Sequence, residues 1–262
     1  MTDAGILSQR AARLIGRLKT RKGRGREALV LVEGIRTVTT ALEGGADIRF
    51  AVTSPGLTAR PGGIDLAARL RAMGADIREV PDRELADLSD TEQPQGVLLV
   101  CEERESALEA LPAGRWLVLD AVQDPGNAGT LLRAAAAFGL DGVVALEGTV
   151  DLWSPKAVRA SAGLVFHVPV ARAAAGAFLI HCNRAGVTVL VADAGGEDVH
   201  HVELEGPFAL VMGNEGAGAR PAVVEAADRR VSVPMRGPAE SLNVGIAGSI
   251  LLYALTGEER LG

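Results

Sequence analysis

Apolar residues in this chain come as short runs, separated by stretches in which they recur every three or four positions. That is the alternation of buried strands with amphipathic helices. Ile6, Ala11, Leu14, Ile15 and Leu18 are the apolar members of a basic helix over 6–19, and 20–26, with two glycines, reads as a flexible basic turn. The run 29–32 predicts a strand, 33–43 a helix stopped by Gly44-Gly45, and 48–52, 76–80 and 96–101 further strands, with a helix over 66–73. Residues 102–114, charged and ending Pro112-Ala113-Gly114, read as a linker. Beyond it strands are expected near 116–120, 142–146, 187–192, 208–212 and 230–233. Helices are expected near 128–138, 154–161, 172–185, 219–227 and 242–256. The chain thus divides into an arm (1–26), a small α/β domain (27–101), a linker (102–114) and a second α/β domain (115–262). In the second domain, strands separated by helices imply a parallel sheet with ligands at the carboxyl ends of its strands.

Composition narrows the class. With 48% hydrophobic and 23% charged residues over 262 positions, the chain is an ordinary globular protein, and wholesale disorder is excluded. The longest apolar run, 244–255, is too short to span a bilayer and no targeting segment is evident, so a cytoplasmic protein without membrane association is expected. Cys101 and Cys182 make no framework or C-x-x-C pair, and His200-His201 have no further ligand at metal spacing, so no metal is expected. Charge is unevenly spread within a net of −6. Residues 1–36 hold nine Lys/Arg against three acids, whereas the remaining 226 residues hold 18 against 30. Arg10, Arg13, Arg17, Lys19, Arg21, Lys22, Arg24, Arg26 and Arg36 are therefore the candidate phosphate contacts of an acidic body with a basic front.

Three motifs carry the chemistry. The strand ending at Asp120 runs into Asp124-Pro125-Gly126-Asn127-Ala128-Gly129-Thr130-Leu131-Leu132-Arg133, where Leu131, Ala135 and Phe138 face the core and Arg133 points away from it. The strand 208–212 runs into Gly213-Asn214-Glu215-Gly216-Ala217-Gly218. Val231-Ser232-Val233-Pro234-Met235 leads to Ser241-Leu242-Asn243-Val244 and the last apolar helix. Ser241 or Asn243 can cap that helix, and Gly245 and Gly248 inside it point to close approach by a threaded loop or a partner helix. No P-loop, nucleophile elbow or dinucleotide fingerprint is present, which disfavours a nicotinamide oxidoreductase.

Asn-x-Gly-x-x-x-Arg, Gly-x-Glu-Gly and Val-Pro-Met followed by Ser-Leu-Asn-Val, in this order from 116 to 255, resemble the signature of the SpoU (TrmH-like) family of SPOUT-class RNA 2′-O-ribose methyltransferases. Leu31-Val32-Glu33-Gly34-Ile35-Arg36-Thr37-Val38 and Ala41-Leu42-Glu43-Gly44-Gly45-Ala46 are similar to the family's RNA substrate-binding domain. The resemblance implies a parallel-sheet SPOUT domain with a C-terminal trefoil knot, a homodimer, and S-adenosyl-L-methionine as cofactor. It implies Gly213, Val233 and Leu242 as cofactor contacts, and Asn127, Arg133, Glu215, Ser241 and Asn243 as catalytic positions. Family accounts treat the matching arginine as a base. A guanidinium does not give up its proton in proteins, so Arg133 reads here as a clamp on the neighbouring phosphate that stabilises the developing alkoxide. The implied substrate is structured RNA, 23S ribosomal RNA ahead of tRNA. A catalytically silent RNA-binding protein of the same fold is the alternative, against which stands the presence of all five catalytic positions.

Overall fold

The computed structural model describes residues 5–257; residues 1–4 of the expected arm and 258–262 of the expected second domain lie outside it. The chain forms two compact units. The first comprises residues up to Glu103 together with Trp153–His167, and the second comprises Arg104–Leu152 and the chain from Val168 onward.

In the first unit the order is β1 (Gly5–Ile6), α1 (Gln9–Leu18), α2 (Arg21–Glu27), β2 (Leu29–Glu33), α3 (Ile35–Glu43), β3 (Ile48–Thr53), α4 (Gly63–Ala72), β4 (Ile77–Glu79), α5 (Asp82–Leu88) and β5 (Val97–Glu102). The five strands lie in the order β1-β4-β3-β5-β2, with β5 antiparallel to both β2 and β3. Two expectations change here. The helix starts at Gln9, capped by the Ser8 hydroxyl, and Ile6 pairs with β4 instead of joining it. The supposed flexible turn is helix α2, because the Thr20 hydroxyl caps it and the chain leaves through Ala28 in the left-handed region. Residues 7–18 of the expected arm pack into this unit. Leu7, Ala11, Ile15 and Leu18 sit in the same core as Leu31, Phe50, Val52, Leu98 and Val100.

The second unit contains β6 (Glu105–Ser106), β7 (Arg115–Leu119), α6 (Pro125–Ala137), β8 (Gly142–Leu146), β9 (Val170–Ala173), α8 (Ala175–Ala185), β10 (Thr188–Asp198), β11 (Phe208–Met212), α9 (Pro221–Ala226), β12 (Arg229–Ser232) and α10 (Val244–Thr256). Helix α7 (Pro155–Ala160) belongs to the first unit, where Trp153 and Phe166 meet edge to face and the His167 ring pairs with the Thr40 carbonyl. Much of the expected linker is likewise folded: Leu108 and Leu111 are buried in the second core.

The seven strands of this unit run in the order β12-β10-β11-β7-β8-β9-β6, every pair parallel. Both faces are covered, so the strands read as unbroken apolar runs rather than alternating ones. Phe178 and Cys182 of α8 and Val223 of α9 pack on one face; burial and the Asp228 charge push the Cys182 thiol up to about 12. Helices α6 and α10 lie against each other over the other face. The strand order reverses beside β7, since β8 follows on one side and β11 and β10 lie on the other; the carboxyl ends at such a switch point are where ligands bind.

Helix α10 reaches α6 through its glycines. A Cβ at Gly248 would lie 2.3 Å from Leu131 Cδ2 and 3.3 Å from Met212 Cε, and one at Gly245 would lie 3.1 Å from Thr130 Cβ. The close approach anticipated from these glycines is thus made to α6. Leu131 is fully buried and would have to move, whereas the longer Gly245 contact with exposed Thr130 is relieved by a shift of a few tenths of an ångström. Gly248→Ala is therefore expected to destabilise by about 1–2 kcal/mol, overpacking exceeding the gain in helix propensity, while Gly245→Ala stays within about 0.5 kcal/mol of wild type. Denaturant melts of the two variants side by side check this; equal stabilities would contradict the packing difference.

Candidate active site

Helix α6 begins a turn earlier than its apolar pattern suggests. The Asp124 carboxylate accepts from Asn127 N at 2.8 Å and Pro125 occupies the first helical position, where its missing N–H costs nothing. Asn127 therefore sits in the first turn with its amide directed out of the helix. Arg133, two turns on, is exposed and has no hydrogen-bond or ion-pair partner among the described residues.

After β11 the chain makes a closed loop. Asn214 and Gly218 exchange backbone hydrogen bonds at 2.9 Å, and the Asn214 side-chain oxygen accepts from Gly216 N and Ala217 N at 3.0 Å each. Gly213 is required by this loop itself. A Cβ there would lie 2.1 Å from Ala219 N and 2.2 Å from Gly218 C, so the place a side chain would take at this carbon is filled by the protein's own backbone.

The loop presents Glu215 to the start of α6. One carboxylate oxygen accepts from Asn127 Nδ2 at 3.0 Å and Asp124 N at 3.1 Å, and the other from Gln123 N at 3.3 Å. Asn127 Oδ1 in turn accepts from Asn243 Nδ2 at 2.8 Å, while Asn243 Oδ1 caps α10 by accepting from Gly245 N at 2.9 Å and Ile246 N at 3.3 Å. Glu215, Asn127 and Asn243, one from each motif, thus form a single hydrogen-bonded chain. Burial alone would raise the Glu215 pKa, but the Asn127 amide and the backbone N–H groups, including those of Asp124 and Gln123, outweigh it and hold the carboxyl below its usual range.

Beside this chain a cleft of ≈ 450 Å³ opens at the carboxyl ends of β11 and β12 and along the middle of β10. It brings Gly213, Val233 and Leu242 together, with Ser241 and Glu215 also on its wall and Met212 and Leu251 among its apolar lining. Its size and its largely apolar walls with a few polar groups suit a nucleoside-sized ligand. Ser241 stands exposed, and Asn243 rather than Ser241 is the cap. Asp193, also on the wall, and Asn214, whose Nδ2 donates to the Ala121 carbonyl at 2.9 Å, escaped the sequence reading. Asn214 was legible as an amide in a glycine-rich turn, a setting that favours side-chain to backbone bonds.

The candidate phosphate contacts all belong to the first unit. Arg10, Arg13, Arg21, Lys22, Arg26 and Arg36 are exposed. Arg17 is paired with Glu27 at 3.0 Å and Lys19 donates to the Ser89 carbonyl at 2.8 Å. Arg24 departs from expectation: it is buried, and its guanidinium donates to the Leu18 carbonyl at 2.8 Å, bracing the end of α1 instead of facing solvent. Among the described residues no group of three His, Cys, Asp or Glu side chains is arranged to hold a metal, and no helix is long and apolar enough to cross a membrane.

The α/β fold with its parallel sheet matches solved SPOUT methyltransferase structures. Residues 114–253 match the SpoU rRNA Methylase family and 11–99 the MRM3-like substrate binding domain, and the chain belongs to the SpoU rRNA methylase family. It is 35% identical over 242 residues to the 23S rRNA (guanosine(2553)-2'-O)-methyltransferase RlmP of Bacillus subtilis, covering 92% of this chain and 94% of that protein. It is 30% identical to the 23S rRNA (uridine(2479)-2'-O)-methyltransferase of Streptomyces viridochromogenes, over 90% and 85% of the two chains. The solved structure of an AdoMet-bound rRNA methyltransferase from Sinorhizobium meliloti superposes with a TM-score of 0.83 at 31% identity over 95% of each chain.

The depressed pKa of Glu215 makes a prediction with a definite sign. A carboxyl lowered on folding contributes stability that is present above its unfolded pKa, about 4.3, and is lost as pH falls through the folded value. Wild type should melt above Glu215→Gln by a constant margin from about pH 7 to 5, and the margin should shrink below about pH 4. A margin undiminished at about pH 3 would mean that the carboxylate does not hold the loops in ionised form.

Proposed function

We propose that this protein transfers a methyl group from S-adenosyl-L-methionine to the 2′-hydroxyl of a ribose in 23S ribosomal RNA. The observation that carries this reading is the chain Glu215–Asn127–Asn243 standing beside the cleft that Gly213, Val233 and Leu242 line. When bound, the cofactor supplies an electrophilic methyl group. Gly213, Val233 and Leu242 hold it through apolar contact and backbone, and Glu215, Asn127 and Asn243 keep the three loops at fixed separation so that the hydroxyl meets the donor in line. Ser241 contributes a hydroxyl at the rim. Arg133, whose guanidinium is fully available, grips the phosphate next to the target ribose in a two-pronged hold and stabilises the oxygen as its proton leaves late or to solvent.

In this reading the enzyme is a cytoplasmic homodimer with a C-terminal trefoil knot, as the family likeness suggests. Support for the dimer comes from α10, where Ile246, Ile250 and Tyr253 make an apolar stripe, continued by Leu242, that stays exposed among the described residues. RNA is gripped by Arg10, Arg13, Arg21, Lys22, Arg26 and Arg36, with Arg17 and Lys19 contributing once released from their present partners. Arg24 is left out because its charge is spent inside the fold.

Arg133→Lys keeps the charge but loses the planar fork, so single-turnover methylation at saturating RNA and cofactor should fall by roughly 100-fold, with stability within about 0.5 kcal/mol of wild type. Near-wild-type turnover would remove Arg133 from the reaction, and absence of methyl transfer by the wild-type protein would favour the silent RNA-binding alternative.

The basic face is tested by charge removal rather than deletion, since α1 is part of the core. Changing Arg10, Arg13, Arg21, Lys22 and Arg26 to Gln should lower the dependence of RNA affinity on salt by about 0.7–0.9 in slope for each phosphate that is no longer neutralised. A binding isotherm series whose slope is unchanged would show that these cations are a solvated surface only.

A further inference from the structure

The loop that carries Glu215 is held at its far end by an ion pair between a partly exposed arginine and a buried carboxylate. Arg220, which caps the start of α9, donates its backbone N to Asp120 Oδ2 at 2.8 Å and its Nε to Asp120 Oδ1 at 2.6 Å. Asp120 ends β7 and its side chain is 1% exposed, so a carboxylate that water does not reach has Arg220 as its counter-ion. The other end of the same guanidinium reaches the Glu147 side chain at 3.1 Å and the Glu147 carbonyl. Glu147 is itself fixed, because its carboxylate accepts from Ala175 N at 2.9 Å at the start of α8. One planar fork therefore ties the loop's exit to the ends of β7 and β8 at once, a geometry that a lysine ammonium cannot reproduce.

The loop and the segment after β7 are laid side by side. Arg220 meets Asp120, Asn214 meets Ala121, and Glu215 meets Gln123, Asp124 and Asn127. The entry of the loop is fixed by sheet pairing, with Asp120 N donating to the Met212 carbonyl at 2.8 Å. Its exit is closed onto Asn214 through Gly218, and beyond that bridge the side-chain tie to the ends of β7 and β8 is Arg220. Gly216 and Gly218 between the two ends have no side chain to resist bending.

We infer that Arg220, clamped on Asp120 and Glu147, is a positioning residue for Glu215: it fixes the exit of the loop so that the Glu215 carboxylate stays seated on Asp124, Gln123 and Asn127. It touches neither of the reacting groups and acts only through Glu215. The kinetic part of this inference rests on the methyltransferase reading above, and the structural part does not.

The test compares wild type, Arg220→Lys, Glu215→Gln and the double variant of the full-length chain. Single-turnover methylation of ribosomal RNA should fall ~10- to 100-fold in Arg220→Lys, a positional effect. In the Glu215→Gln background the same change should cost less than about 2-fold, since residues acting as one unit are not additive. Multiplicative losses would mean that Arg220 is a general brace of the fold and would overturn the inference. Amide hydrogen exchange reads the same claim without activity. The Gln123 and Asp124 amides should exchange ~10-fold faster in Arg220→Lys while those of β7 keep their protection; unchanged exchange at both amides would also overturn it. If Arg220→Lys does not stay folded, Asp120→Asn, of equal size and neutral, carries both measurements. A wild-type protein inactive on ribosomal RNA would sink the functional reading alone, and the exchange comparison would still decide the role of Arg220.

Discussion

The Glu215 carboxylate is where segments far apart in the chain are made into one site. Its donors come from Gln123, Asp124 and Asn127, about ninety residues away in sequence, and Asn127 passes the connection on to Asn243. Parallel pairing makes this possible, because Leu119 and Met212 are register partners and the loops leaving β7 and β11 start abreast. An ionised carboxylate accepts only, so every group turned toward it must be a donor, and the backbone N–H groups after Ala121 are turned that way. The ordering of these two loops, which opposes folding at about 1–2 kcal/mol per residue of backbone, is offset locally by these charge-assisted bonds.

The third segment joins only because α10 can lie close to α6. Gly245 and Gly248 each weaken the helix by about 1 kcal/mol relative to alanine, and in return the backbone of α10 comes near enough for Asn243 to reach Asn127. An amide is the side chain this position needs. Its oxygen caps α10 by accepting from Gly245 and Ile246, and its nitrogen donates to Asn127 Oδ1. Aspartate would cap as well but would set a carboxylate against that same oxygen, and serine would be too short to bridge.

The apolar runs were enough to place every strand of the second sheet that borders the site, because strands buried on both faces leave a plain signal. Less legible was anything decided by short polar side chains. Thr20 turned a glycine-containing basic stretch into helix α2, and Asp124 with Pro125 moved the start of α6 forward. Residues 153–167 were read with the second domain because no local pattern says which core Trp153 and Phe166 will join; that depends on long-range partners such as the Thr40 carbonyl. The motif residues were legible as a set, but not the reason for each. Gly213 serves its own loop, and Asn127 spends both ends of its amide on Glu215 and Asn243. Arg24 and Arg220 show the same limit for charge, since composition counts a guanidinium without saying whether it faces water or a buried acceptor.

That distinction bears on Arg133. Arginine pairs with carboxylate wherever geometry allows, and in an acidic domain an unpaired guanidinium near a glutamate is at risk of being captured by it. Here the Glu215 oxygens are already occupied by backbone and amide donors that bring no compensating positive charge but fill its accepting directions. Arg133 lies six residues beyond Asn127, about 9 Å further along the helix axis and on a different face. It is thus kept out of the network that assembles the site. A neutral set of donors around the acid, with Arg133 on another face, agrees with an arginine that is exposed and unpaired among the described residues. The hydrogen bonds that join the loops leave that guanidinium out, as the proposed phosphate contact requires.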